Sequence, residues 1–205
     1  MPARPASLPI DATDAPEADR ARLGQRLRSY RKARKLTLKE LSARSGVPLS
    51  TLSKMELGQS SVGYEKVAAA ARALALDINQ LFDTRAPAPA DLAAPTVVWS
   101  SVAAAPVYSS GNYEYRALAT EFPGKRMTPM HGRILARARS QFPDFIRHAG
   151  QEFVTVLSGR VRLEFETGES IELGRNESAY FDSGVGHIYL SLGRTEAQML
   201  VVMSA

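Results

Sequence analysis

The stretch "LTLKELSARSGVPLSTLSKMELG", residues 36–58, decides the fold of the N-terminal half. Thr37 stands three positions ahead of Glu40. The threonine hydroxyl can accept from the Glu40 amide while the glutamate reaches back, a capping box that marks a helix start. "SGV", residues 45–47, reads as a sharp turn with Gly46 free to take positive φ. A further helix is predicted over residues 49–56, ended by Gly58. Two short helices joined by a glycine-containing turn form a helix-turn-helix.

Working outward, the helical pattern covers residues 21–82 and divides into about five helices, the first over residues 23–34. Residues 1–20 mix Pro, Ala and acids without periodicity and are expected to form a disordered tail. Residues 83–96, "DTRAPAPADLAAPT", read as a semi-rigid Ala/Pro linker. From residue 97 to residue 205 the period changes. β-branched and aromatic residues alternate with polar ones, and glycine turns interrupt at short intervals, as in "VTVLSGRVRLEFETGESIELG". That pattern predicts a sandwich or barrel. The chain therefore reads as multidomain: an all-α domain, a linker and an all-β domain.

The net charge of +5 is unevenly placed. Residues 20–85 carry fourteen Lys/Arg against five Asp/Glu, whereas residues 86–205 carry eleven against twelve. A basic segment beside a neutral one points to a polyanion-binding module joined to one that binds something else. No run reaches the roughly 18 apolar residues of a membrane span, and residues 1–20 hold no apolar core of a signal peptide. There is no cysteine, which excludes disulfides, thiolate metal sites and a cysteine nucleophile. A cytoplasmic location is expected.

Residues 36–58 resemble the Cro/lambda-repressor-type (XRE) helix-turn-helix family, and the resemblance extends over roughly residues 23–82. It implies a small core of Leu27, Leu38, Leu41, Val47, Leu52, Met55, Val67, Leu74 and Leu81. It implies a structural pair between Arg31 and Glu56 that fixes helix 1 against the end of helix 3. It also implies that the third helix enters the major groove of a double-stranded DNA operator. The DNA-contacting set expected on that basis is Thr37, Leu38, Leu49, Ser50, Thr51, Ser53 and Lys54. Serines and lysine can reach base edges or phosphates, and Leu49 a thymine methyl. Leu38 stands where many relatives place a polar phosphate contact. Lys35 stands where the family often has a glycine, and Pro48 replaces a common serine cap. Two recognition helices must reach half-sites about one helical turn apart, so a homodimer is expected.

"FIRHAGQEFVTVLSGRVRLEF" and "GRNESAYFDSGVGHIYLSLG" resemble the two motifs of the cupin family, over about residues 97–205. The implied fold is a cupin barrel (a double-stranded β-helix, or jelly roll), of the kind that follows XRE helix-turn-helix domains as a small-molecule sensor. His148, Glu152 and His187 match three of the family's four metal ligands; Ile146 stands at the fourth. Residues two apart on a strand share a face, so His187, Tyr189 and Ser191 align. The candidate effector pocket is His148, Glu152, His187, Tyr189 and Ser191.

Three readings stay open there. His148, Glu152 and His187 could bind a divalent metal (Zn, Fe or Ni), could hold an organic effector directly, or could satisfy one another as buried polar residues. His131 is expected to be a strand residue outside the site. No nucleophile, phosphate loop or acid/base carboxylate pair stands out, and the resemblance implies ligand-responsive transcription regulation without catalysis. The alternatives are a cupin metalloenzyme with a tethered DNA-binding domain and a regulator whose cupin domain only dimerises.

Overall fold

The computed structural model describes residues 15–59, 62–76, 78–82 and 95–204. Residues 1–14 of the expected tail and 83–94 of the expected linker lie outside them. The N-terminal domain consists of α1 (Ala15–Ala33), α2 (Leu38–Ser45), α3 (Leu49–Glu56), α4 (Tyr64–Ala73) and α5 (Asn79–Phe82). The capping box forms as predicted: Thr37 Oγ1 accepts from the Glu40 amide at 3.2 Å, and the Thr37 amide donates to Glu40 Oε2 at 2.7 Å. Gly46 closes α2 at φ 71°, its amide donating to Ser42. The α2–α3 turn is thus fixed locally before any packing is considered.

The expected core residues are buried, except that Leu38 is only half-buried against the cluster. Arg31 and Glu56 pair as expected, through Nε–Oε1 at 2.5 Å and Nη2–Oε2 at 2.8 Å, and Arg31 Nη1 also donates to the Leu36 carbonyl at 2.6 Å. The guanidinium therefore ties α1 to the end of α3 and to the α1–α2 turn. A Cβ on Gly24 would lie 2.2 Å from the Met55 carbonyl oxygen, so α1 and α3 meet backbone to backbone there. Lys35 takes φ 55°, the left-handed conformation that glycine would adopt without strain.

Helix α1 starts at Ala15, eight residues before the predicted residue 23, so residues 15–20 are helical and not part of a tail. Ala18, Arg20, Ala21 and Arg22 are good helix formers. The extension also has a partner that no local pattern reveals: Asp19 Oδ2 accepts from the Val107 amide at 2.9 Å, joining α1 to the β domain. Phe82 of α5 meets Tyr108 edge-on at 5.9 Å. The two domains touch directly.

The β domain has nine strands among the described residues. A six-stranded sheet runs β1 (Val107–Ser109), β2 (Tyr113–Ala117), β3 (Met127–Ile134), β9 (Ala197–Ser204), β4 (Gln151–Ser158), β7 (Ser178–Asp182). A three-stranded sheet runs β6 (Ser170–Leu173), β5 (Arg160–Phe165), β8 (His187–Leu192). Every pairing is antiparallel. Period-two alternation places Val154 and Val156 of β4, Met199 and Val201 of β9, and Val161 and Leu163 of β5 in the buried layer.

Strand β8 is bonded to β5 on one side only, yet its other edge is closed. Ile146 exchanges backbone hydrogen bonds with His187, Tyr113 Oη accepts from the Tyr189 amide at 2.8 Å, and the Ser191 amide donates to Ala136 at 2.8 Å. These three clasps join the sheets into a barrel-like sandwich and position the inner residues of β8. No helix among the described residues is long and apolar enough to cross a membrane.

Candidate functional site

On α3 the inward positions are Leu52, Met55 and Glu56, all buried. Leu49, Ser50 and Lys54 are exposed, and Thr51 and Ser53 are half-exposed. Leu49 is 46% exposed, a large apolar side chain held in solvent at the start of the helix. Thr37 is exposed, but its hydroxyl is engaged with Glu40. Leu38, at the first position of α2, is half-buried and leans on the core with part of its side chain outward.

In the barrel, three elements converge. His148 sits on the loop before β4, Glu152 is the second residue of β4, and His187 opens β8. The loop reaches Glu152 because Gly150 takes φ 94°, where a Cβ would lie 2.2 Å from the Ser204 carbonyl oxygen. Buried Ser183 pins it, donating from Oγ to the Gly150 carbonyl at 2.7 Å, while the His148 amide donates to the Ser183 carbonyl at 3.0 Å. His148 Nε2 then lies 2.9 Å, and His187 Nε2 3.6 Å, from the same atom, Glu152 Oε2. One ligand atom from each of the three residues lies within 4.8 Å of the others.

The Val185 carbonyl lies 2.9 Å from His187 Nδ1; with the proton on that nitrogen, the Nε2 lone pair turns toward the carboxylate. His148 Nδ1 lies 3.4 Å from the Ala149 carbonyl, and its Nε2 faces Glu152 Oε2 at 2.9 Å.

The other carboxylate oxygen is held from behind, where Tyr189 Oη donates to Glu152 Oε1 at 2.5 Å. Burial alone pushes the Glu152 carboxyl up, but hydrogen bonds from His148 and His187 and their charge outweigh burial and hold it at about 2. Burial first, and then the Glu152 charge, push the Tyr189 hydroxyl well above its ordinary value, so it stays a donor. This donor set fits a divalent metal: two imidazole nitrogens and one carboxylate oxygen, each oriented by a second contact.

The space beside the triad measures about 20 Å³. One water requires about 10–15 Å³, so the barrel centre admits an ion or a water and not a metabolite. Ile146 forms part of its wall, as expected, and Tyr113, Tyr115 and Met203 complete the barrel side. Ser191 does not join them. It is buried in line with His187 and Tyr189, but its hydroxyl accepts from the Ala197 amide at 2.8 Å and braces the β8–β9 turn. His131 is on the outer side of β3, with Nε2 3.2 Å from Gln198 Oε1, away from the triad.

Tyr113, Gly150, Ser183 and Gly63 are site residues that sequence reasoning missed. Tyr113 is signalled by the alternation "YEY", and Gly150 by its place between His148 and Glu152. Ser183 and Gly63 carry no sequence signal. Gly63 belongs to the helical domain and still lines the barrel cavity.

Residues 22–81 match the helix-turn-helix domain family, and residues 136–203 match the cupin domain family. Among solved structures the chain is similar to an HTH_3 family transcriptional regulator from Vibrio cholerae, at 20% identity over 92% of this chain and 98% of that chain, with a TM-score of 0.63. That similarity is one of fold. It is also similar to hydroxypropylphosphonic acid epoxidase from S. wedmorenis, at 21% identity over 90% of this chain and 97% of that chain, with a TM-score of 0.47. No curated protein matches the chain in sequence.

Proposed function

We propose that this chain, an XRE-type helix-turn-helix protein carrying a cupin domain, is a cytoplasmic transcriptional regulator whose cupin domain answers to a small molecule. The observation that carries the reading is α3. It is locked from behind by the Arg31–Glu56 pair and presents Leu49, Ser50, Ser53 and Lys54 away from the core, within a segment of fourteen Lys/Arg against five Asp/Glu. A rigid helix with short polar side chains outward and a basic surround is suited to the major groove. The functional unit is a homodimer, which sets two such helices on half-sites about 10–10.5 base pairs apart. Regulation requires that an effector bind the DNA-competent and incompetent arrangements with different affinity.

His148, Glu152 and His187 hold a divalent cation, drawn from Zn, Fe or Ni. The cation would sit where two imidazole nitrogens and a carboxylate oxygen converge. Tyr189 orients the carboxylate, and the Val185 and Ala149 carbonyls orient the rings. The same two-histidine, one-carboxylate set supports a second reading, a metalloenzyme with a tethered DNA-binding domain.

The test is selection of random-sequence duplexes by the full-length protein, followed by affinity measurement. An enriched site with two-fold symmetry, lost in the Lys54→Ala/Ser50→Ala double variant, supports the regulator. Failure to enrich any motif overturns it. Elemental analysis tests the cation, and only turnover of a substrate by the loaded protein would favour the enzyme.

A further inference from the structure

The barrel centre is too small for a metabolite, but a second cavity is not. A cleft of about 290 Å³, some fourteen-fold larger than the barrel centre, lies between the helical domain and the barrel. That volume is close to the lower bound of small-molecule sites, about 300 Å³.

Its helical wall comes from α4 and the turn after it. Ala68 and Ala71 leave the space open, and Leu76 and Ile78 extend the apolar surface. The barrel wall is different in kind. Lys125 and Arg126 come from the β2–β3 connection, Thr128 from β3, His148 from the loop before β4, and Ser204 from the end of β9. Arg72 adds a third cation from the α4 side. No carboxylate among the described residues lines the cleft. An apolar floor with three cations, of which Lys125 also donates to the Leu118 carbonyl at 2.9 Å, and with no acid among the described lining selects an anion with a hydrocarbon body. The alanine floor also sets it apart from a phosphate-backbone surface, where cations alone suffice.

We propose that this interdomain cleft is the effector site, and that it binds a small amphipathic organic acid. Its carboxylate lies toward Arg72, Lys125 and Arg126, and its hydrocarbon lies on Ala68, Ala71, Leu76 and Ile78. The ligand contacts both domains at once, so it favours one arrangement of the helices on the barrel. That regulatory consequence rests on the reading of the chain as a DNA-binding regulator; the binding itself does not.

Octanoate and phenylacetate, with octanamide and phenylacetamide as neutral counterparts, are titrated by calorimetry into the full-length protein without DNA. At least one acid should bind, and at least tenfold more tightly than its amide. Arg72→Ser and Arg126→Ser, both exposed positions, should each weaken it about tenfold without lowering the melting temperature. Ala68→Leu should fill the cleft and abolish binding. Binding of neither acid, equal binding of acid and amide, or insensitivity to both arginine variants would each overturn the proposal. Because DNA is absent, none of these failures touches the assignment of α3, which is tested separately by duplex selection.

Discussion

Replacing Tyr189 by phenylalanine removes one hydroxyl and keeps the ring. The ring packs edge-on against Tyr113 at 6.2 Å, so the variant opens no large void. The change removes the donor to Glu152 Oε1 at 2.5 Å, on a carboxylate that is 2% exposed and cannot turn to water instead. Leaving one buried acceptor without its donor costs about 1–3 kcal/mol. The metal-binding consequence is separate. A group that orients a ligating carboxylate contributes about 10–100-fold to affinity. At saturating metal, that weakening shrinks the metal-dependent part of the stability by about 1.4–2.8 kcal/mol.

The two effects are read in one set of experiments. Thermal or urea unfolding is measured with a chelator and again with excess Zn(II), and affinity comes from competition with a chelating dye. The expected result is a modest loss in the chelated protein, a larger one with Zn(II), and a 10–100-fold weaker Kd. Full affinity in Tyr189→Phe, alongside abolished affinity in His187→Ala, would show that the hydroxyl does not orient the carboxylate. Equal stability losses with and without Zn(II) would refute the linkage.

Three further outcomes are expected. In metal-free protein, Glu152 is held at about 2 against an ordinary 4.5, so its stabilisation is fully present above pH 4.5 and is lost as pH falls toward 2; Glu152→Gln should abolish that acid limb, worth roughly 3 kcal/mol, in pH-dependent unfolding. Glu56→Ala strands a buried guanidinium and should destabilise the helical domain by about 3–5 kcal/mol in denaturant melts. Lys54→Ala/Ser50→Ala, at exposed positions, should leave the melting curve within about 0.5 kcal/mol but weaken DNA binding by about 1–3 kcal/mol for each base these side chains read, measured by anisotropy.

The local devices were legible because they lie within a few residues of one another. The Thr37–Glu40 capping box, the Gly46 turn and the strained Lys35 are short-range facts of the chain, and each forms as read. The candidate triad was legible only through motif resemblance, since His148, Glu152 and His187 meet through a loop, the start of β4 and a second sheet. The misreadings share a cause. Ser191 has the right period and the wrong partner, because the β8–β9 turn takes its hydroxyl. The start of α1 was missed because its anchor, the Val107 amide, is 88 residues away.

That anchor also revises how the two domains communicate. An Ala/Pro linker suggests a tether that relays a change passively. The structure instead has Asp19 bonded to Val107, Phe82 against Tyr108, and Gly63 lining the barrel cavity beside the triad. A ligand can shift an equilibrium only by its differential affinity for the two states. Contacts of this kind join the two domains directly and offer a route for such a difference. Breaking one of them without touching either site, as in Asp19→Ala, should therefore change the response of DNA affinity to an effector while leaving metal affinity intact. An unchanged response would return the coupling to the linker.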